Sequence, residues 1–213
     1  MPQPLPETDP FPPSEFDQWA GQYDRDVDRP GFPFTGYRRV LSEVVRQAQV
    51  QSGMAVLDLG AGTGNLAGLF LALGCEVWCT DFSREMIDRA RVKFPAARFF
   101  LHDLRQPFPP GLARRFDRIT SAYVFHHFEL PEKVALLRQL LSDRLEPDGQ
   151  ILIADVSFPT GQALDTARQA AGEGWDEERY WVAAEALPAL ETLGATLNYT
   201  QVSDCAGIYQ LSK

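Results

Sequence analysis

The sequence predicts an α/β fold: a mostly parallel sheet of seven strands with helices on both faces, closed by an antiparallel C-terminal hairpin. Three observations predict it. Short apolar runs alternate with helical patterns between about residues 56 and 155. A glycine-rich turn, Gly60-Ala61-Gly62-Thr63-Gly64, follows the first run. Two β-rich runs then end the chain with no helix between them. Alternation of this kind builds a parallel sheet covered on both sides.

The elements follow in order. Residues 1–13 hold six prolines and two acids, a composition that buries little and reads as a flexible tail. Residues 14–213 form a single domain, opening with a helical cap over 14–50. Ser14-Glu15-Phe16-Asp17 reads as a helix start with Ser14 as N-cap, and Phe16, Trp19, Ala20 and Tyr23 recur at helical spacing. Gly31-Phe32-Pro33-Phe34 breaks that helix, and a second runs over 37–49 with Val40, Leu41, Val44, Val45 and Ala48 on one face. Strands are expected at 56–59, 76–80, 97–101, 116–122 and 150–155. Helices are expected at 66–73, 84–93 and 131–145. Beyond strand five, helical stretches at 162–171 and 183–193 precede the two hairpin strands, 196–202 and 208–211. Residues 157–182 read as a lid-like insertion.

Bulk composition narrows the function. Apolar residues make up 45% of 213, enough for one sizeable core. The net charge of −9 disfavours a nucleic-acid partner, and the arginines are scattered rather than gathered into an arm. Cys75, Cys79 and Cys205 are odd in number and lack a C-x-x-C pair; they read as buried apolar side chains in a reducing compartment. No apolar run is long enough to span a bilayer, and the N-terminus lacks a basic n-region and an apolar h-region. A soluble cytoplasmic protein is expected.

In a doubly wound sheet the ligand sits beyond the strands' carboxyl ends, where strand order reverses. The turn after strand one is therefore the expected site. Its spacing is G-x-G-x-G, with Asn65 next, whereas a dinucleotide site expects G-x-G-x-x-G. Asp58 lies two residues before Gly60; a carboxylate there repels a pyrophosphate and suits a cation. Asp81 ends strand two, about 20 residues past the turn, where an acid accepts hydrogen bonds from ribose hydroxyls. Asp103 follows strand three and is placed to accept from an adenine amino group.

These segments resemble class I S-adenosylmethionine (SAM)-dependent methyltransferases of the type 11/25 kind. Leu57-Asp58-Leu59-Gly60-Ala61-Gly62-Thr63-Gly64 is similar to their first motif. Asp81-Phe82-Ser83-Arg84-Glu85-Met86 is similar to the acidic ribose segment, in which the Met packs on adenine. His102-Asp103-Leu104 resembles the adenine-contact segment. The run 116–127 resembles the fourth-strand motif. Leu145-Glu146-Pro147-Asp148-Gly149-Gln150 resembles the turn before strand five, with Glu146 and Asp148 in place of the usual Lys and Gly. Together they span about residues 53–156 in the family's order. Phe16-Asp17-Gln18-Trp19-Ala20-Gly21-Gln22-Tyr23-Asp24 and Glu178-Arg179-Tyr180-Trp181 further resemble a bacterial group of uncharacterised methyltransferases, the YrrT type.

The resemblance implies a Rossmann-like class I methyltransferase fold. It implies SAM as cofactor, with S-adenosylhomocysteine (SAH) as product, and a site built from Tyr23, Asp58, Gly60, Ala61, Gly62, Asn65, Asp81, Phe82, Met86, Asp103, Leu104 and Ser121. His126 and His127, at the mouth of the sheet, are candidates for a general base or for orienting an acceptor. Trp175, Glu178, Tyr180 and Trp181 are candidate substrate contacts on the lid. With three histidines and no cysteine near them in sequence, no metal site is expected. Small size, acidity and an aromatic lid favour a small-molecule acceptor. The alternatives are a protein or tRNA acceptor, and a non-catalytic SAM- or SAH-binding regulator. An NAD-dependent reductase is disfavoured by the glycine spacing, by Asp58 and by the terminal hairpin. The acceptor atom and the oligomeric state stay open.

Overall fold

The computed structural model describes residues 12–213; most of the proline-rich stretch lies outside the described residues. Among the described residues there are eight strands: β1 (Ala55–Leu59), β2 (Glu76–Asp81), β3 (Arg98–Leu101), β4 (Phe116–Ala122), β5 (Leu145–Phe158), β6 (Trp181–Val182), β7 (Thr196–Ser203) and β8 (Ala206–Ser212). Seven of them form one sheet in the order β3-β2-β1-β4-β5-β8-β7, and the two-residue β6 pairs with the far end of β5. β1 to β5 pair in parallel. β8 runs antiparallel to β5 and to β7. The order reverses between β1 and β4, which opens a crevice at their carboxyl ends.

Alternation along the strands sends side chains to two cores. Val56, Val77, Cys79, Leu152 and Ala154 face one, and Leu57, Leu59, Trp78, Ile151 and Ile153 face the other. Because both faces are covered, every residue of β1 is buried. Helices α3 (Tyr37–Ala48) and α4 (Asn65–Ala72) bury Val40, Val44, Ala67 and Phe70 in the first core. Helices α6 (Leu130–Gln139) and α8 (Ala183–Glu191) bury Leu136, Leu137, Ala186 and Leu190 in the second. Each such fully buried Leu or Phe stabilises the fold by about 1.5–3 kcal/mol. All three cysteines are buried and free of disulfides. Among the described residues no helix is long and apolar enough to cross a membrane.

Local signals set the helix ends. Ser83 caps α5 (Arg84–Lys93) by accepting from the Met86 amide at 3.2 Å, with Glu85 in the first turn and Arg91 and Lys93 in the last. Glu129 and Glu132 form a reciprocal capping box on α6, with Pro131 in its first turn. Thr160 caps α7 (Gly161–Ala171) at the Ala163 amide.

Several boundaries differ from the sequence reading. The first helix, α1 (Pro13–Trp19), begins one residue before Ser14, so Ser14 is not its N-cap; Pro13 supplies a preset φ at the first position instead. The periodic run through Tyr23 divides at Gly21, and a single turn, α2 (Tyr23–Asp26), follows. The long helix expected to Leu145 is α-helical only to Gln139, ending in a π turn over Leu140–Arg144. β5 starts at Leu145, not Gln150: Phe116 pairs with Leu145 and Arg118 with Gln150, so residues 146–149 bulge out of the ladder as the expected turn. The terminal hairpin is tighter than expected, because Ala206 and Gly207 already pair with β5. The 157–182 stretch contains α7 and β6, so the insertion is tied to the sheet at its end.

Candidate active site

A cavity of about 600 Å³ occupies the crevice at the carboxyl ends of β1, β2 and β4, within the range of small-molecule sites. Its floor is the glycine-rich turn. Gly60 has φ +65°, and a Cβ there would stand 2.4 Å from Val124 Cγ2, so no larger residue fits. Gly62 also has positive φ, and its amide donates to Asp81 Oδ2 at 2.8 Å. The Ser83 amide donates to the other oxygen, Oδ1, at 2.8 Å. Asp81 is thus clamped at the end of β2 and lines the cavity. Burial pushes its carboxyl up to about 6, against the lowering effect of those amides.

Two aspartates latch the N-terminal cap onto this floor. Asp17 Oδ1 accepts from the Ser83 hydroxyl at 2.6 Å. Asp24 accepts from Thr63 Oγ1 at 2.5 Å, from Asn65 Nδ2 at 3.1 Å and from Lys93 Nζ at 2.8 Å. The latch brings Phe16, Trp19 and Tyr23 over the cavity. Phe16 packs on Phe82 at 4.9 Å between ring centroids and meets His127 edge-on at 5.5 Å. Trp19 packs on Tyr23 at 4.8 Å.

At the other end, His126 and His127 occupy a single 3₁₀ turn after β4. The His126 Nδ1 lies 2.5 Å from Asp155 Oδ1. Asp155, fully buried in β5, is held in turn by Trp181 Nε1 at 3.0 Å and the Val156 amide at 2.8 Å. The Glu178 carboxylate approaches both rings, 3.5 Å from His126 Nε2 and 3.9 Å from His127 Nδ1. Burial works to lower the His126 pKa, but the Asp155 carboxylate outweighs it and the net shift is upward. Burial, with the neighbouring His126, pushes His127 down, so it is neutral. Burial raises Glu178.

Of the residues expected in the site, Tyr23, Gly60, Gly62, Asp81, Phe82, Met86, Asp103, Leu104, His126, His127, Glu178 and Tyr180 line the cavity. Six do not. Asp58 turns away from it and accepts from Thr120 Oγ1 at 2.9 Å; burial raises its carboxyl to about 7, so it is largely uncharged below neutral pH and is no fixed anion. Ser121 is buried and donates to the Leu59 carbonyl at 2.8 Å. Asn65 is engaged in the Asp24 latch, and Ala61 packs against the first core. Trp175 stacks on Phe32 at 4.7 Å outside the cavity. Trp181 is a core residue that positions Asp155.

The sequence reading missed Asp155, Phe16 and Trp19. A carboxylate at the end of an otherwise apolar run, Ile151-Leu152-Ile153-Ala154, was the available signal for Asp155. His102 belongs to the segment that resembles the adenine contact: its ring packs on Phe108 at 4.9 Å, and its Nε2 is buried without a hydrogen-bond partner among the described residues. The Tyr123 hydroxyl, also at the cavity wall, is in the same position. Buried polar atoms left unpaired beside a cavity mark places where a ligand completes the hydrogen bonding.

Known proteins resolve the family. The family description "Methyltransferase domain" matches residues 56–149. An uncharacterised methyltransferase of Geobacillus kaustophilus is 34% identical over 82% of this chain and 84% of its own length. The chain belongs to the methyltransferase family. YrrT of Bacillus subtilis, another uncharacterised methyltransferase, is 31% identical over 93% of the chain and 96% of its own length. Among solved structures, a putative methyltransferase from Haloferax volcanii in complex with the Trm112 activator superposes with a TM-score of 0.73 at 17% identity, covering 93% of this chain and 96% of that one. DhpI, solved with SAM and HEP, gives 0.72 at 21% identity over 94% and 95%. At these identities the structural matches speak for the fold: the methyltransferase has the class I architecture.

Proposed function

We propose that this methyltransferase transfers the methyl group of SAM to a small-molecule acceptor held in the chamber beside His126, His127 and Glu178. The observation that carries the proposal is one continuous cavity. It runs from the clamped Asp81 to the histidine pair and is roofed by aromatic side chains.

The residues present fit the cofactor. Asp81 presents a clamped carboxylate to two ribose hydroxyls. Phe82, Met86 and Leu104 form apolar walls suited to adenine, with Asp103 and the unpartnered His102 Nε2 at its edge. Gly60 and Gly62 let the methionine end approach backbone, under Tyr23 and near the unpartnered Tyr123 hydroxyl. When bound, SAM supplies an electrophilic methyl group on a sulfonium. The chain's own work is to exclude water and align the acceptor, because a transfer that disperses charge gains from a dry, preorganised pocket. Phe16, Trp19 and Tyr180 exclude water. Where the acceptor carries a proton, the Asp155–His126 pair is placed to take it, with Asp155 fixing the ring so that Nε2 faces the chamber.

The small-molecule reading is supported by the cavity's size, about 600 Å³, and by Asp176, Glu177 and Glu178 in its lining, which repel a phosphate backbone. Incubating the enzyme and SAM with a cell extract split into small-molecule and macromolecular fractions tests it. SAH release with the small-molecule fraction, and a product heavier by CH2, is expected. SAH release confined to the protein or RNA fraction overturns the small-molecule reading, and no release in any fraction, with SAM bound, favours a regulatory binder.

A further inference from the structure

His126 and His127 are adjacent in a 3₁₀ turn, yet both rings meet the same carboxylate. Their centroids are 4.2 Å apart. The segment carrying Glu178 is pinned to that turn from both sides. The Arg179 amide donates to the His126 carbonyl at 3.0 Å. Lys133 Nζ, buried under the turn, donates to the Arg179 carbonyl at 2.5 Å. Glu178 is therefore held against the rings by backbone.

We propose that His126 Nε2, His127 Nδ1 and a Glu178 carboxylate oxygen bind one divalent transition-metal ion of the zinc type. One ligand atom from each residue lies within 4.8 Å of the other two. Tetrahedral zinc with ligands at about 2.0–2.2 Å sets its ligand atoms roughly 3.3–3.5 Å apart. Glu178 Oε2 stands 3.5 Å from His126 Nε2 and its other oxygen, Oε1, 3.9 Å from His127 Nδ1, so the carboxylate reaches both rings at close to that separation. The histidine–carboxylate set suits zinc and its neighbours rather than calcium or magnesium.

The surroundings are those of a ligand set as well. A metal-binding histidine characteristically gives its other nitrogen to a carboxylate, which fixes the tautomer and ring angle. His126 does this with Asp155, itself locked by Trp181 and the Val156 amide. Three protein ligands beside a cavity leave a fourth position open, the arrangement of catalytic rather than structural zinc. That position faces the chamber. With the ion bound, His126 Nε2 would be a ligand and not the base assigned above, and the ion would instead acidify an acceptor thiol or hydroxyl filling the open position; only this last point rests on the acceptor reading above.

The test uses the full-length, tag-free protein, stripped with chelator and titrated with Co(II). Expected are saturation at one ion per chain, visible d–d bands of a four- or five-coordinate site, and displacement by Zn(II). Glu178→Gln and His127→Ala should each weaken Co(II) binding at least tenfold. Absence of saturable uptake at about 100 µM Co(II) overturns the metal site and leaves His126 as an imidazole between two carboxylates. Uptake unchanged in both variants overturns it too, by placing the ion elsewhere. SAH calorimetry on the parent protein separates the two readings: no SAH binding counts against the cofactor site, and no Co(II) uptake by the parent counts against the metal.

Discussion

The pH dependence of cofactor binding follows from Asp81. Its carboxyl, raised by burial to about 6, must be ionised to accept from two ribose hydroxyls while it holds the Gly62 and Ser83 amides. Above about pH 7 the free enzyme presents the carboxylate. At about pH 5 roughly one molecule in eleven does, so affinity should fall about tenfold, equivalent to about 1.4 kcal/mol. The ligand's own carboxylate and ammonium groups keep their charges across this window. Asp58 titrates nearby at about 7, but it does not line the cavity, and Asp81→Asn leaves it in place. That variant should bind SAH about ten- to a hundredfold more weakly at neutral pH, through lost charge-assisted hydrogen bonds worth about 1.5–3 kcal/mol. Its affinity should also be nearly flat from pH 7 to pH 5. Calorimetric titration of SAH into both proteins over that range measures both effects. A flat profile in the parent protein, or an equal slope in the variant, refutes the assignment of Asp81 to the ribose.

Other outcomes follow from the same structure. Asp58 ionises near 4 when unfolded and at about 7 when folded, so its ionisation opposes folding and stability falls as pH climbs between those values. Asp58→Asn should remove that slope and raise stability at pH 8 by up to about 4 kcal/mol, read from urea unfolding at pH 5 and pH 8; a variant no more stable at pH 8 contradicts the burial argument. Gly60→Ala places a Cβ 2.4 Å from Val124 Cγ2 at a φ of +65°, and should lower both melting temperature and SAH affinity. Val124→Ala should restore part of the loss, the remainder being the backbone strain of about 1 kcal/mol. Phe16→Ala removes one aromatic wall and should weaken SAH binding about tenfold, roughly the worth of an aromatic contact, with little change in melting temperature because Phe16 is half-buried.

The parallel strands were legible because burial on both faces turns each into an unbroken apolar run, and Val56-Leu57 and Ile151-Leu152-Ile153 show it. The glycine turn and Asp81 were legible because their chemistry is local in sequence. What escaped depends on contacts between distant segments. Asp155 meets His126 from 29 positions away, and nothing in either neighbourhood announces the pairing. Trp181 and Trp175 read as lid aromatics by position, but one is spent on fixing Asp155 and the other stacks on Phe32. Asp58 carries the right charge on paper; burial beside Thr120 raises its carboxyl to about 7, and it does not line the cavity. The absence of cysteines near His126 and His127 pointed away from a metal. In the ligand set proposed above, the third ligand, an oxygen, is supplied by Glu178, 51 residues on in the chain from His127.

The central claim is that one cavity holds SAM on Asp81 and presents its methyl group to the His126–His127–Glu178 chamber. A crystal structure of the enzyme with SAH tests it most directly. The account predicts both ribose hydroxyls on the Asp81 carboxylate, adenine between Phe82, Met86 and Leu104, and the sulfur facing the histidines under Tyr23. SAH bound with its ribose away from Asp81, or with its sulfur turned from the histidine chamber, would contradict it.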